Sequence, residues 1–298
     1  MTTVGRDVVR TGPELNLSST GKWLTPRDIN APVAILIHGF TSHGRYLQEM
    51  AEFLDGHDLC CATFNYDSYL GIDTAAKELV AALKYFEKSL LGHGYGLIGH
   101  SMGGLVARQF VHTVDSSLRK RLRGIVTLGT PHDGALTDQR WLGFMLDWAD
   151  LLTDPSPFAR SPLCRSAAQL TRQHSEPLID RLNEDDRRKR LSHRMLSISG
   201  GQAYLELGKD SIIAVFKRHL GFDRNRLLQK IIGEHPNDGL VRESSADLTR
   251  VLGRQDGRIE HRNNYLSFSR TNHTNLARNQ EVAGIVAQWL LAEFGENA

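Results

Sequence analysis

Apolar runs in this 298-residue chain alternate with stretches whose apolar positions recur at helical spacing. Val33-Ala34-Ile35-Leu36-Ile37 is continuous and rich in β-branched side chains, the pattern of a strand buried on both faces. It ends in His38-Gly39-Phe40. From Gly44 to Leu54, residues Tyr46, Leu47, Met50, Phe53 and Leu54 share one side of a predicted helix. Leu59 to Phe64 predicts the next strand. Thr74 to Leu91 predicts a helix with an apolar stripe of Ala75, Leu79, Ala82, Leu83 and Phe86. A third strand leads through Tyr95 to His100, a helix begins near Gly103, and Gly124 to Gly129 is a fourth strand. Strict alternation of strand and helix implies a parallel, doubly wound α/β sheet with helices on both faces. Ahead of it, residues 1–31 are broken by Pro13 and Pro26 and predict one or two edge strands.

The alternation stops at Thr130. Residues 130–190 carry Pro155, Pro157, Pro162 and Pro177 and an apolar-aromatic patch from Trp141 to Leu152. At 3.6 residues per turn this patch is apolar around most of its circumference. It reads either as a buried core helix or as the wall of a cap over a site. On the second reading Trp141, Phe144, Met145 and Trp148 are candidate substrate-binding residues. Ala167 to Asn183 predicts a second cap helix. The sheet resumes at Arg194 to Ser199 and is ended by Gly200-Gly201. Asp210 to Leu220 reads as helical. Asn237-Asp238-Gly239 is a turn signal expected just past a strand. Tyr265 to Ser269 is a strand, a polar loop follows from Thr271 to Leu276, and Glu281 to Phe294 is an amphipathic helix. The expected organisation is one α/β domain over residues 1–298, with a cap insertion at about 132–190.

Composition narrows the function classes. The chain is 40% apolar and 23% charged, with 36 basic and 34 acidic residues and a net charge of +2, so no nucleic-acid footprint is visible. Arg187-Arg188-Lys189-Arg190 is the one basic cluster; it reads as a solvated helix end, with peripheral contact to an anionic membrane as the second reading. Three cysteines do not build a disulfide framework, and Cys60 and Cys61 fall in an apolar strand pattern. A reducing, cytoplasmic location is expected, because residues 1–20 lack the apolar segment of a secretory signal and no run of 18 apolar residues exists. The cysteines show no metal-ligand spacing, and neither metal nor cofactor is expected.

Chemistry concentrates in Tyr95-Gly96-Leu97-Ile98-Gly99-His100-Ser101-Met102-Gly103-Gly104. This reads as a strand end, a sharp turn carrying Ser101, and a helix start. A serine hydroxyl needs a base for its proton and an electropositive pocket for the oxyanion it creates. A strand-to-helix turn lifts the hydroxyl above the sheet and aims free N–H groups of the new helix at a reacting carbonyl. The turn is crowded, so the positions two before and two after the serine must be small, as Gly99 and Gly103 are, while Gly104 lets the helix approach the sheet. The pentapeptide alone is a weak signal; the strand before it and the helix after it give it weight.

Thirteen histidines compete for the role of base. His38 and His100 flank the turns but lie close to the backbone. His273 follows the last strand, and Asp238 follows an earlier one, at the same edge of the sheet. The plainer readings are an exposed loop histidine and a β-turn aspartate, with Asp210, Asp223 and Asp247 as rival acids. The order Ser…Asp…His is that of α/β-hydrolases.

Four segments resemble the lipase/esterase branch of the alpha/beta-hydrolase superfamily, which includes bacterial triacylglycerol lipases and GPI inositol-deacylase-like esterases. They are Ile37 to Phe40, Gly99 to Arg108, Leu128 to Gly134, and Asn237 to Val241. The resemblance spans Val33 to the final helix. It implies an alpha/beta-hydrolase fold with Ser101 as nucleophile, Asp238 as acid and His273 as base. It also implies an oxyanion hole from the N–H groups of Phe40 and Met102, and a structural role for Leu128 to His132. Lipases of this type often bind calcium through an aspartate two residues after the catalytic histidine; Asn275 stands there, so calcium is not expected. The function expected is a serine carboxylic-ester hydrolase that forms an acyl-enzyme on Ser101 from a small-molecule ester or lipid with an apolar acyl group. A phospholipase or acyltransferase with the same triad is the alternative, and a non-catalytic binding or interaction protein is a second.

Overall fold

Burial on both faces of the apolar runs decides the architecture. In the computed structural model, which describes residues 14–17, 32–90, 94–135, 165–170, 177–189, 195–203, 236–253 and 265–295, Val33, Ile35 and Ile37 enter one core and Ala34 and Leu36 the other. The strands are β1 Glu14–Leu17, β2 Val33–Ile37, β3 Cys60–Asn65, β4 Tyr95–His100, β5 Leu122–Leu128, β6 Met195–Gly200 and β7 Tyr265–Phe268. They form one sheet in the order β1-β3-β2-β4-β5-β6-β7. Strand β1 is antiparallel to β3, as an edge strand, and the other six are parallel.

Register makes the carboxyl ends of the strands level. Ile37 pairs with both Phe64 and Gly99, His100 with Leu128, and Leu128 with Ile198. The loops that follow β2, β3, β4, β5 and β6 therefore leave the sheet along one rim.

The described helices are α1 Gln48–Asp55, α2 Ile72–Leu90, α3 Met102–Thr113, α4 Ser116–Arg121, α5 Arg165–Leu170, α6 Leu178–Lys189, α7 Glu243–Ala246, α8 Leu248–Leu252 and α9 Gln280–Gly295. Helices α2 and α3 cover one face through Ala75, Leu79, Leu83, Leu105 and Phe110. Helices α1 and α9 cover the other through Met50, Leu54, Val282, Val286 and Leu290. Burying each of the leucine, valine, methionine and phenylalanine side chains among these contributes about 1.5–3 kcal/mol. Cys60 and Cys61 are buried free thiols, one in each core, and burial pushes both thiol pKa values up. Among the described residues no helix is long and apolar enough to cross a membrane.

Several elements differ from the pattern expected of the sequence. The helix predicted from Gly44 begins as a 3-10 turn, Gly44–Leu47, before α1. Helix α2 starts at Ile72, earlier than its apolar stripe, because α5 caps it: Gly71 N–H donates to Ser166 Oγ at 2.9 Å and Ile72 N–H to Gln169 Oε1 at 2.7 Å. The stretch from Ala167 to Asn183 falls on two helices, with α6 opening just after Pro177. Helices α4, α7 and α8 were not predicted; they are short, and α4 and α8 are set by Asp115 and Asp247, whose carboxylates accept from Leu118 and Arg250 N–H. The Trp141 to Leu152 patch, the Asp210 to Leu220 helix, the strand ahead of Asp238, and Cys164 lie outside the described residues.

Candidate active site

Ser101 sits between β4 and α3 with φ 54° and ψ −124°, one of three described non-glycine residues with positive φ. Such a conformation costs about 1–3 kcal/mol and persists only when the surroundings enforce it. Here the Ser101 N–H donates to Leu128 O at 2.8 Å, which ties the turn to β5. The flanking glycines meet backbone rather than space. A Cβ on Gly99 would lie 2.3 Å from Gly104 N, and one on Gly103 2.2 Å from Ile37 O. Both positions exclude any side chain, for the steric reason the sequence suggested. Ser101 is half-buried and Met102 is fully buried at the first turn of α3, where the N–H groups have no intrahelical acceptor.

Asp238 and His273 meet beside this turn. His273 Nδ1–H donates to Asp238 Oδ2 at 2.8 Å, and the His273 backbone N–H donates to Asp238 O at 2.8 Å. Asp238 Oδ1 accepts from the N–H groups of Leu240 and Val241 at 3.0 and 2.8 Å. Both side chains are buried, at 3% and 1% exposure. The Asx turn that made Asp238 look like a turn former is real, and it uses only one carboxylate oxygen; the other holds the histidine. In the neutral ring with Nδ1–H donating to Asp238, Nε2 is the nitrogen that carries the free lone pair. Gly129, at φ 59°, admits the pair: a Cβ there would stand 2.8 Å from His273 Nδ1 and 2.9 Å from Asp238 Oδ2.

The loop after β7 is pinned to the serine's neighbours. His100 Nε2–H donates to His273 O at 3.0 Å, and the two rings lie 4.9 Å apart. Tyr46 Oη–H donates to Thr274 O, and the Arg278 guanidinium covers the Tyr46 ring at 5.2 Å. Burial, then the nearby His273, holds the His100 pKa down to about 3, so His100 stays neutral and is a clamp rather than a base. His100 and Tyr46 had no signal in the sequence beyond their positions on the strand end and on the apolar side of a helix.

The loop after β2 comes up against Ser101 from the other side. A Cβ on Gly39 would lie 2.9 Å from Ser101 Cβ. His38 Nδ1–H donates to Gly39 O at 2.9 Å. A trans peptide plane points its C=O and N–H in opposite directions, so fixing Gly39 O also fixes the aim of Phe40 N–H. Burial drops the His38 pKa to about 4 and keeps this donor neutral.

A second buried network stands behind α3. Arg108 Nε donates to Asp186 Oδ2 and Nη2 to Asn183 Oδ1, both at 2.7 Å, and Nη1 to His132 Nδ1 at 3.2 Å. His132 Nε2–H then donates to Thr127 Oγ1 at 3.0 Å, and His112 Nε2 to Asp186 Oδ1 at 2.5 Å. Burial, followed by Arg108, keeps the His132 pKa well below the usual histidine value. Burial pushes the Asp186 carboxyl up, but Arg108 and His112 together outweigh it and hold the group below the ordinary carboxylate range. The network fastens α6 to α3 and to the Gly129 loop. Of the basic cluster, Arg188 pairs with Glu184 at 3.0 Å and Arg187 donates to Val251 O, as a helix end does. Trp141, Phe144, Met145 and Trp148 lie outside the described residues. Among the described residues no cluster of three or more His, Cys, Asp or Glu side chains could hold a metal ion.

Comparison with known proteins bears on the fold. No curated protein sequence matches the chain. Its fold is similar to that of the mature lipase BlEst2 of Bacillus licheniformis, at TM-score 0.59 and 14% identity over 93% of this chain and 97% of that one. It is similar to the monoacylglycerol lipase of Paleococcus ferrophilus, at TM-score 0.53 and 14% identity over 94% and 98%. It is also similar to phospholipase PlaB of Legionella pneumophila, at TM-score 0.51 and 14% identity over 73% of this chain and 46% of that one. The family model of the alpha/beta hydrolase fold matches residues 32–276, which takes in β2 through the His273 loop, and the chain belongs to that family.

Proposed function

We propose that the protein is a serine carboxylic-ester hydrolase acting on esters with an apolar acyl group. The observation that carries this reading is the buried Asp238–His273 pair, 2.8 Å apart, at the rim where Ser101 is held at φ 54°. In the first step Ser101 Oγ bonds to the ester carbonyl carbon while His273 Nε2 takes its proton. The N–H groups of Phe40 and Met102 hold the oxyanion; one such donor is worth about 3 kcal/mol of barrier. Collapse breaks the bond to the alcohol, which leaves with the proton from His273. Water then repeats the sequence on the acyl-serine and releases the acid. Asp238 keeps the histidine in the tautomer this needs. Ser101 Oγ and His273 Nε2 are not hydrogen-bonded to each other here; such contacts tighten when substrate is in place.

Residues 132–190 act as a cap in this reading. Its support is the apolar Trp141 to Trp148 sequence; α5 and α6 themselves are anchored on the start of α2 and on Arg108. The test is labelling by a fluorophosphonate probe. Wild type reacts and Ser101→Ala does not; equal labelling of the two ends the reading. A nitrophenyl ester series then addresses the acyl group. Its rate peaks at medium or long chains, and a peak at acetate removes the apolar-acyl part of the proposal.

A further inference from the structure

The loop that follows β3 touches the Gly39–Phe40 loop at three separate places, and nothing in the hydrolytic scheme uses it. Tyr66 Oη–H donates to His38 O at 2.7 Å, and the Tyr66 N–H approaches His38 Nε2 at 3.4 Å. The two rings stack with centroids 4.3 Å apart and 17° between planes. Ser68 Oγ accepts the Thr41 N–H at 3.0 Å. The Tyr69 ring meets the Phe40 ring edge-on at 5.3 Å. Tyr66 and Ser68 are buried, at 7% and 4% exposure.

The grip matters because the loop it holds is strained. Thr41 has φ 57°, a left-handed conformation that a β-branched residue adopts only under constraint. Its N–H is the group bound by Ser68. On the other side of Phe40, Tyr66 holds His38 from its carbonyl and its ring, and His38 in turn holds Gly39 O. The Phe40 peptide is thus fixed from both flanks by two side chains of one neighbouring loop.

We infer that Tyr66 and Ser68 are positioning residues that pre-aim the Phe40 N–H at the oxyanion. The inference rests on the hydrolase reading above. Neither residue touches substrate. Both act through the loop from His38 to Thr41, so their effect falls on the transition state, where charge develops on the carbonyl oxygen, and not on substrate binding.

The experiment compares wild type with Tyr66→Phe, Ser68→Ala and Ser68→Thr on nitrophenyl butyrate, with inhibition by phenylboronic acid, which forms a tetrahedral adduct on the serine. Tyr66→Phe keeps the ring stack and removes only the hydroxyl, so it is the variant least able to disturb the fold. For Tyr66→Phe and Ser68→Ala, kcat falls about 10- to 100-fold, KM stays within about twofold, and boronate affinity falls in step with kcat. Ser68→Thr, which keeps the acceptor, recovers most of the loss. Unchanged kcat in both variants overturns the inference, as does a loss matched by a rise in KM or by a lost unfolding transition, since either marks a merely structural role. A wild-type protein that neither labels with fluorophosphonate nor turns over ester brings down the hydrolase reading itself; active wild type with indifferent variants brings down only this step.

Discussion

Two buried acid–base clusters lie within this fold, and they are put to different uses. In one, Arg108, Asp186, Asn183, His112, His132 and Thr127 bond to one another until every Arg108 nitrogen and both His132 ring nitrogens have a partner. In the other, Asp238 accepts from three donors and holds a histidine with one nitrogen committed. Saturation makes a cluster rigid and chemically silent; an uncommitted imidazole nitrogen makes it reactive. The difference also shows in the backbone. Of the three described non-glycine residues with positive φ, Ser101 and Thr41 lie in the turns after β4 and β2 and Asp58 lies elsewhere, whereas Arg108, His112, Asn183 and Asp186 of the first cluster are carried on the regular helices α3 and α6. On the proposed hydrolase reading, stability and activity are drawn from separate sets of buried polar groups, and substitution can pull them apart.

The largest expected effect is at the strained turn. Ser101→Gly abolishes ester turnover, a drop of about 10⁶-fold, and yet stabilises the protein by about 1 kcal/mol by removing the side chain that dislikes φ 54°. Kinetics and urea denaturation measure the two signs; a destabilised Ser101→Gly would mean the turn is not strained. Next, His273→Ala lowers kcat about 10⁴-fold with the circular dichroism spectrum retained, and intact turnover would move the base elsewhere.

Arg108→Met should do the reverse. It leaves Asp186 buried without its main partner and costs about 3–5 kcal/mol of stability in urea melts, while kcat of the folded fraction changes far less than in His273→Ala. If its activity instead falls as steeply, the two clusters are not separable. Acid pH probes the silent histidines. The unfolded chain protonates them near pH 6.5, whereas burial holds His38 to about 4 and His100 to about 3, with His132 also well below its usual value. Folded protein thus binds fewer protons below pH 6.5. Stability is full above that pH and declines as pH falls from 6.5 toward 4, by up to about 1.4 kcal/mol per unit for each histidine. Asp186 acts in a lower window: its folded pKa is depressed, so its contribution is present above about pH 4 and is lost only below. Denaturation midpoints that stay flat from pH 7 to 5 would contradict the assignment. The smallest effect is Thr127→Val, which strands the His132 Nε2–H and costs about 1–2 kcal/mol in the same melts without altering kcat.

Residue order carried more of the candidate site than of its support. Periodicity is local, so β2 to β5, α3 and α9 were legible from side chains within a few positions of each other. The elbow was legible for a similar reason, because Gly99 and Gly103 answer to a crowding that any sharp strand-to-helix turn creates. Ser101, Asp238 and His273 could be gathered from strand ends, since a parallel sheet delivers those ends to one rim. The start of α2 could not be read, because its caps come from Ser166 and Gln169, nearly a hundred residues away. Nor could Arg108 be told from a solvated helix arginine: its partners Asn183 and Asp186 lie 75 and 78 positions on.

What the chain determined by itself was the layered α/β order and the sharp serine turn, and it supplied the candidates for the proposed acyl chemistry, because apolar spacing and glycine sterics act over a few residues. Tertiary structure alone decided which histidines are silenced, that Asp238 divides its oxygens between a turn and His273, and that Tyr66 and Ser68 meet the loop beside Ser101. Apart from the Asp238 turn itself, these partners stand 27 to 35 positions apart along the chain, and only packing brings them together.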